Sequence, residues 1–406
     1  MMIRTLMAAL AAAIAAPAAA QETETPNAAT AAPMSVTAAG LEGPGAALIL
    51  ERLPDAQFIL VGEDHGFAGS PQITRALADA ARGGGVIHHV VEIGPISADW
   101  VSGVLKRDGV DGLAAALEGK PLAAPFLNMR EDADLAASIL ENGGDLWGVD
   151  QEFIGSPLLH LQTLLDRARG DTAKARLAEL LANETEAFAT GNQDAMFMFI
   201  ATPEVFAELE SFFTRDKTAL ALIEALRESA DVYQAFARGE NYISNVDRVA
   251  LIRRQFLDAY GSARGRAPRA IFKMGANHLG LGTTFLNTFD IGSLVEGVAA
   301  ANGRSALRIV IYPLAGEKTQ IMPSADGVFK TVEHSGEEAS EFLELAGLTA
   351  KDIPQDGWAV IALEPLRRSL GQKKINSLSP EAKFMLLGYD FLVTTRGAKA
   401  ATPLAN

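Results

Sequence analysis

The sequence predicts an α/β fold: a mostly parallel central sheet flanked by helices, with a large helical insertion between the third and fourth strands. Three observations predict it. Four short apolar runs are bounded by glycine and polar residues, the pattern of strands covered on both faces. Helical stretches separate the first three runs, which is the βαβ rhythm of a parallel sheet. From Ser156 to Tyr260, Leu, Ala, Glu and Arg recur at helical spacing, with breaks near Gly191-Asn192 and Thr202-Pro203.

The chain opens on Arg4, an uncharged run from Thr5 to Ala20, and Ala18-Ala19-Ala20 before Gln21. A basic start, an apolar middle and small residues at the end predict a cleaved secretory signal over 1–20. The run is shorter than the roughly 20 apolar residues that span a bilayer. Residues 21–43 are Ala, Pro, Thr and Ser with almost no large apolar side chain, which predicts a flexible leader. Residues 44–406 are then one α/β domain, with the insertion at about 156–260. A periplasmic or secreted location follows, without stable membrane anchoring once the signal is removed.

The first strand is Gln57 to Gly62, followed by Glu63-Asp64-His65. The second is Val86 to Val91, followed by Glu92. The third is Asp145 to Val149, followed by Asp150-Gln151-Glu152. The fourth is Ala270 to Met274, followed by Gly275-Ala276-Asn277-His278. Helices are expected at Pro71–Arg82, Ile96–Arg107 and Arg130–Glu141. After the insertion come a helix at Ile291–Ala301 and strands at Leu307–Tyr312, Trp358–Leu363 and Tyr389–Thr395, with an irregular surface stretch at Asp326–Gly336.

In an open parallel sheet, ligands bind beyond the carboxyl ends of the strands. This chain places Glu63 and His65, Glu92, Asp150 and His278 at four such ends, with Lys273 inside the fourth strand. One acidic residue at a strand end is ordinarily a helix cap. Carboxylates and imidazoles at four ends predict a shared hydrolytic site for a small-molecule substrate. A near-neutral imidazole takes a proton from water, and a neighbouring carboxylate fixes its tautomer. A second imidazole or Asn277 holds a carbonyl oxygen as charge develops. The same groups, Glu63, His65, Glu92 and His278, could instead hold a divalent metal that activates bound water.

Composition narrows the chemistry. No cysteine occurs, which excludes disulfides, thiolate metal sites, cysteine nucleophiles and lipid attachment through cysteine. The formal net charge of −15 argues against nucleic acid and anionic lipid as partners. No Gly-x-Ser-x-Gly elbow and no P-loop lysine is present. His88 and His89 alternate within a strand and are expected as core or edge residues rather than ligands. His160 and His334 are expected at the surface.

Leu60-Val61-Gly62-Glu63-Asp64-His65-Gly66, Val90-Val91-Glu92, Trp147-Gly148-Val149-Asp150, Arg238 seven residues before Asn245, and Lys273 to His278 occur in an order that resembles the erythromycin esterase-like family. The resemblance runs from about Ala46 to Leu404. Only Asp64 separates Glu63 from His65, and Met274 or Gly275 stands where that family has a first histidine. The shorter Gly-Glu-x-His is closer to the ChaN-like haem-binding relatives in the same Tiki-like superfamily. The resemblance implies His65 as general base, Glu92 as its orienting partner, Glu63 as a second carboxylate and His278 as a substrate-polarising group. Asn277, Lys273, Arg238, Asn245 and Asp150 are then the substrate-binding candidates, with Arg238 and Asn245 on one helical face. The implied activity is cleavage of an ester or related acyl bond. The alternative is a haem- or metal-binding protein without turnover, or a partner-binding module on the same scaffold.

Overall fold

A computed structural model describes residues 30–321 and 327–405. The predicted signal lies outside the described residues. Nine strands form one sheet: β1 (Ala32–Thr37), β2 (Gly40–Glu42), β3 (Ala56–Glu63), β4 (Ile87–Val91), β5 (Leu146–Gly148), β6 (Arg269–Gly275), β7 (Ser305–Ile311), β10 (Trp358–Ala362) and β11 (Phe391–Thr394). Two more, β8 (Ala315–Ile321) and β9 (Phe329–Ser335), form a separate antiparallel pair. The large sheet runs β2-β1-β10-β11-β7-β3-β6-β4-β5. From β11 to β5 every neighbour is parallel.

The parallel strands read as apolar runs because both faces are covered. Every residue of β3 is buried. On one face, α2 (Gly69–Ala81), α3 (Pro95–Leu117) and α4 (Arg130–Glu141) pack through Ile73, Leu77, Val101 and Leu135. These follow α1 (Pro44–Leu50). The insertion holds α5 (Pro157–Arg167), α6 (Asp171–Thr190), α7 (Phe197–Ile200), α8 (Pro203–Phe212), α9 (Lys217–Ala237) and α10 (Asn241–Ser262). It carries its own core of Leu161, Leu177, Phe206, Leu222 and Leu226. Its last helix covers the other face of the sheet through Ile252 and Phe256. There it joins α12 (Ile291–Ala301), which follows the single turn α11 (Ala276–Leu279).

Four expectations are corrected here. The later part of the expected leader is folded: β1 pairs with β10 from Ala32↔Val360 to Met34↔Trp358, and its other end forms a hairpin with β2. Met34 is buried, and Pro33 is tolerated because β2 does not extend beside it, so no second ladder needs its missing N–H. The stretch expected to be irregular at 326–336 contains β9, whose register with β8 runs from Ile321↔Phe329 to Ala315↔Ser335. His160 is not at the surface but fully buried, 2.8 Å from Glu152 Oε2. Glu152 also accepts from Ser97 Oγ and from the Ile96 N–H, so this pair ties the insertion to the start of α3. His334 likewise has a buried side chain, with Nε2 2.9 Å from the Pro313 carbonyl. His88 and His89 are core residues as expected; His88 stacks on Trp147 and His89 Nδ1 faces the Ile271 carbonyl.

Candidate active site

The strand order puts β3, β6, β4 and β5 side by side, so their carboxyl ends form one row. That row carries Glu63, Gly275, Glu92 and Asp150. Glu63, His65, Glu92 and His278 converge there, as the sequence predicts.

His65 follows β3 directly. Its Nδ1 lies 2.9 Å from Glu63 Oε1, and its Nε2 lies 3.5 Å from Glu92 Oε2. The tighter partner of the ring is therefore Glu63, and Glu92 faces its other nitrogen. Phe126 lies parallel on the imidazole, with ring centroids 4.1 Å apart. Its backbone φ of 64° is a left-handed conformation that costs an L-residue energy. On the remaining side Gly275 is needed for close approach: a Cβ there would stand 3.1 Å from His65 Nε2. The ring is thus held from three directions, while 30% of its side chain stays exposed.

Glu92 is the hub. Its Oε2 accepts the Gly275 N–H at 2.6 Å, and its Oε1 accepts from Arg248 at 3.0 Å and lies 3.4 Å from His278 Nε2. Burial would raise its pKa, but His65, His278 and Arg248 hold it well below the usual carboxylate range. Burial would also lower the pKa of His65, yet Glu92 and Glu63 outweigh it and raise it above the ordinary imidazole value.

His278 sits on α11, a turn that stays in place partly because Tyr389 donates to the Ala276 carbonyl. Gly62 makes room for that tyrosine, since a Cβ there would overlap its hydroxyl. His278 Nδ1 is 2.8 Å from Asp290 Oδ2, while Asp290 Oδ1 caps α12 through the Ile291 N–H. Burial opposes protonation of His278, but Asp290, aided by Glu92, pushes its pKa up to about 10. The raised value has a stability consequence. Protonated His278 contributes stability that is fully present below the ordinary histidine pKa of about 6.5 and is lost as pH rises through about 10. Urea unfolding at pH 6.5 and pH 10 should show a lower midpoint at the higher pH. Replacing Asp290 by Asn should flatten that difference.

The other candidates divide. Asp150 belongs to the network, because Arg248 Nε donates to its Oδ1 at 2.9 Å and a second nitrogen of Arg248 pairs with Oδ2. Asn277 is half-buried beside His278, with its Oδ1 enclosed and unpartnered. Lys273 does not face substrate: its Nζ is buried between Glu63 Oε1 at 2.5 Å and Asp132 Oδ1 at 2.7 Å. Arg238 and Asn245 do not share a helix. Gly239, with φ of 77°, ends α9, and the Glu240 N–H reaches back to the Ala235 carbonyl. Arg238 is exposed and pairs with Glu240. Asn245 is half-buried on α10, one turn before Arg248.

Sequence reasoning missed Arg248, Asp290, Asp132 and Phe126. Arg248 carries a signal, since it lies one turn beyond Asn245 on the same helix. Asp290 carries another, as an aspartate immediately before an apolar helical run.

No family model matches the sequence. No curated protein matches it. Solved structures do. A mutant of the erythromycin esterase EreC, in its open conformation, aligns over 91% of this chain and 98% of its own, with a TM-score of 0.57 and 14% identity. The chain has the erythromycin esterase-like fold. A succinoglycan biosynthesis protein aligns over 87% of this chain and 90% of its own, with a TM-score of 0.51 and 11% identity. Similarity to ChaN of Campylobacter jejuni, which binds haem cofacially, is looser, with a TM-score of 0.33 and 11% identity over 75% of this chain and 98% of its own.

The imidazoles and carboxylates of the site contact one another directly. Each ring nitrogen of His65 and of His278 already faces a carboxylate. Among the described residues, no three His, Asp or Glu side chains are arranged to hold a metal ion. The arrangement offers instead an oriented imidazole beside a second, protonated one.

Proposed function

We propose that this chain is an exported hydrolase of the erythromycin esterase-like type, which cleaves an ester or related acyl bond of a small molecule with activated water. The observation that carries this reading is the dyad His65 Nδ1–Glu63 Oε1 at 2.9 Å, on a ring whose side chain stays 30% exposed.

The roles follow from the geometry. Glu63 accepts the Nδ1 proton and so leaves Nε2 of the neutral ring as the base. Nε2 takes a proton from water, and Glu63 stabilises the imidazolium that forms. Glu92 sits across the 3.5 Å gap from Nε2 and can hold the same water. The water oxygen attacks the acyl carbon. Protonated His278 and the guanidinium of Arg248 supply positive charge for the oxyanion. The proton on His65 then goes to the leaving alcohol.

The export signal read in residues 1–20 supports a periplasmic or secreted location. Among the described residues, no helix is long and apolar enough to cross a membrane. Purified mature protein, incubated with a panel of neutral carboxylic esters and lactones, tests the reading. At least one should be hydrolysed with saturation, at a rate well above buffer. Solvent rates across the whole panel would contradict it.

A further inference from the structure

We propose that Asp132 and Lys273 form a buried positioning pair for His65: Asp132 draws Lys273 away from the one Glu63 oxygen that orients the imidazole. This deepens the hydrolase reading and rests on it for its kinetic consequence.

One atom makes the case. Glu63 Oε1 takes both His65 Nδ1, at 2.9 Å, and Lys273 Nζ, at 2.5 Å. Glu63 Oε2 is buried and has no partner. The lysine and the imidazole therefore compete for the same lone pairs. Asp132, in the first turn of α4, holds the other side of the ammonium at 2.7 Å. Charges alternate along the chain His65, Glu63, Lys273, Asp132, which runs inward from the partly exposed ring to a helix end.

With Asp132 ionised, the charge of Lys273 is shared between two carboxylates. Glu63 then keeps electron density for the Nδ1–H bond, which strengthens as His65 becomes an imidazolium in the transition state. With Asp132 neutral, Lys273 leans wholly on Glu63 Oε1, and that bond weakens. Neither residue touches substrate, so each acts only through Glu63.

Asp132→Asn should leave the fold intact, because the amide keeps the shape and Lys273 still has Glu63 as its counter-ion. Burial and the nearby Glu63 push its carboxyl up to about 6 against the pull of Lys273, so its ionised form is costly to keep inside. The isosteric amide can still accept from Lys273. A purely structural Asp132 would show itself as lost stability; a positioning Asp132 shows itself in kcat.

The test is Asp132→Asn in the full mature chain. The expected result is a kcat about tenfold lower at unchanged KM and unchanged thermal midpoint. In ¹H–¹⁵N spectra, the downfield Nδ1 proton of His65 should move upfield relative to wild type. A lower thermal midpoint with kcat and the Nδ1 resonance unchanged would overturn the proposal, as would no change in any of the three. If wild type hydrolyses no ester, the hydrolase reading fails, while the Nδ1 resonance still decides whether Asp132 positions His65.

Discussion

Glu92→Gln should lower kcat/KM for the preferred ester by about 1000-fold, at some cost in stability. The amide keeps the shape and can still accept the Gly275 N–H. What it loses is the negative charge that lies 3.5 Å from His65 Nε2, 3.4 Å from His278 Nε2 and 3.0 Å from Arg248. Two consequences compound. The water loses its charged anchor, and both imidazoles lose part of what holds them protonated, so His278 becomes a weaker oxyanion partner. Arg248 remains paired with Asp150, so no cation is stranded. Steady-state kinetics and a thermal melt on the same preparation check both halves.

Lys273→Met should destabilise the protein by about 3–5 kcal/mol. The side chain length is kept, but Glu63 and Asp132 are left as two buried carboxylates without a cation between them. Breaking one member of a buried pair costs more than removing the pair, because the survivor stays charged and desolvated. The double variant Lys273→Met/Asp132→Asn should therefore recover part of the loss. Urea denaturation of the single and double variants measures it, and additive or worse losses would contradict this account of the pair.

The sheet and the four strand ends were legible in the sequence because local pattern carries them. Apolar runs such as Phe58 to Val61 have no helical period, and each ends where a polar side chain must leave the core. The order of the strands then did the rest, since β6 falls between β3 and β4 and brings His278 beside Glu63 and Glu92. The misread elements share a different cause. Ala32–Thr37 is small and polar enough to look unfoldable, yet becomes a strand by burying Ala32 and Met34 and pairing with β10 and β2. Arg238 and Asn245 have helical spacing, but Gly239 in the left-handed region ends one helix and begins the next, so spacing alone misled. Glu63 and Glu92 were both found, but which one bonds Nδ1 is a matter of a fraction of an ångström and of the bulk supplied by Phe126 and Gly275. Arg248, Asp132 and Asp290 come from helices that reach the site only through tertiary packing, and each partner lies far away in sequence or across a loop.

The proposed chemistry rests on His65 as the base, with Glu63 fixing its tautomer. The most direct measurement is the pH dependence of kcat/KM for wild type and His65→Ala on an ester that wild type cleaves. Wild type should lose activity on acidification through a group whose pKa lies above the ordinary histidine value, because Glu92 and Glu63 favour the imidazolium. His65→Ala should be slower by about 1000-fold or more and should lack that acid limb. Equal rates in the two proteins, or an unchanged acid limb in the variant, would contradict the account.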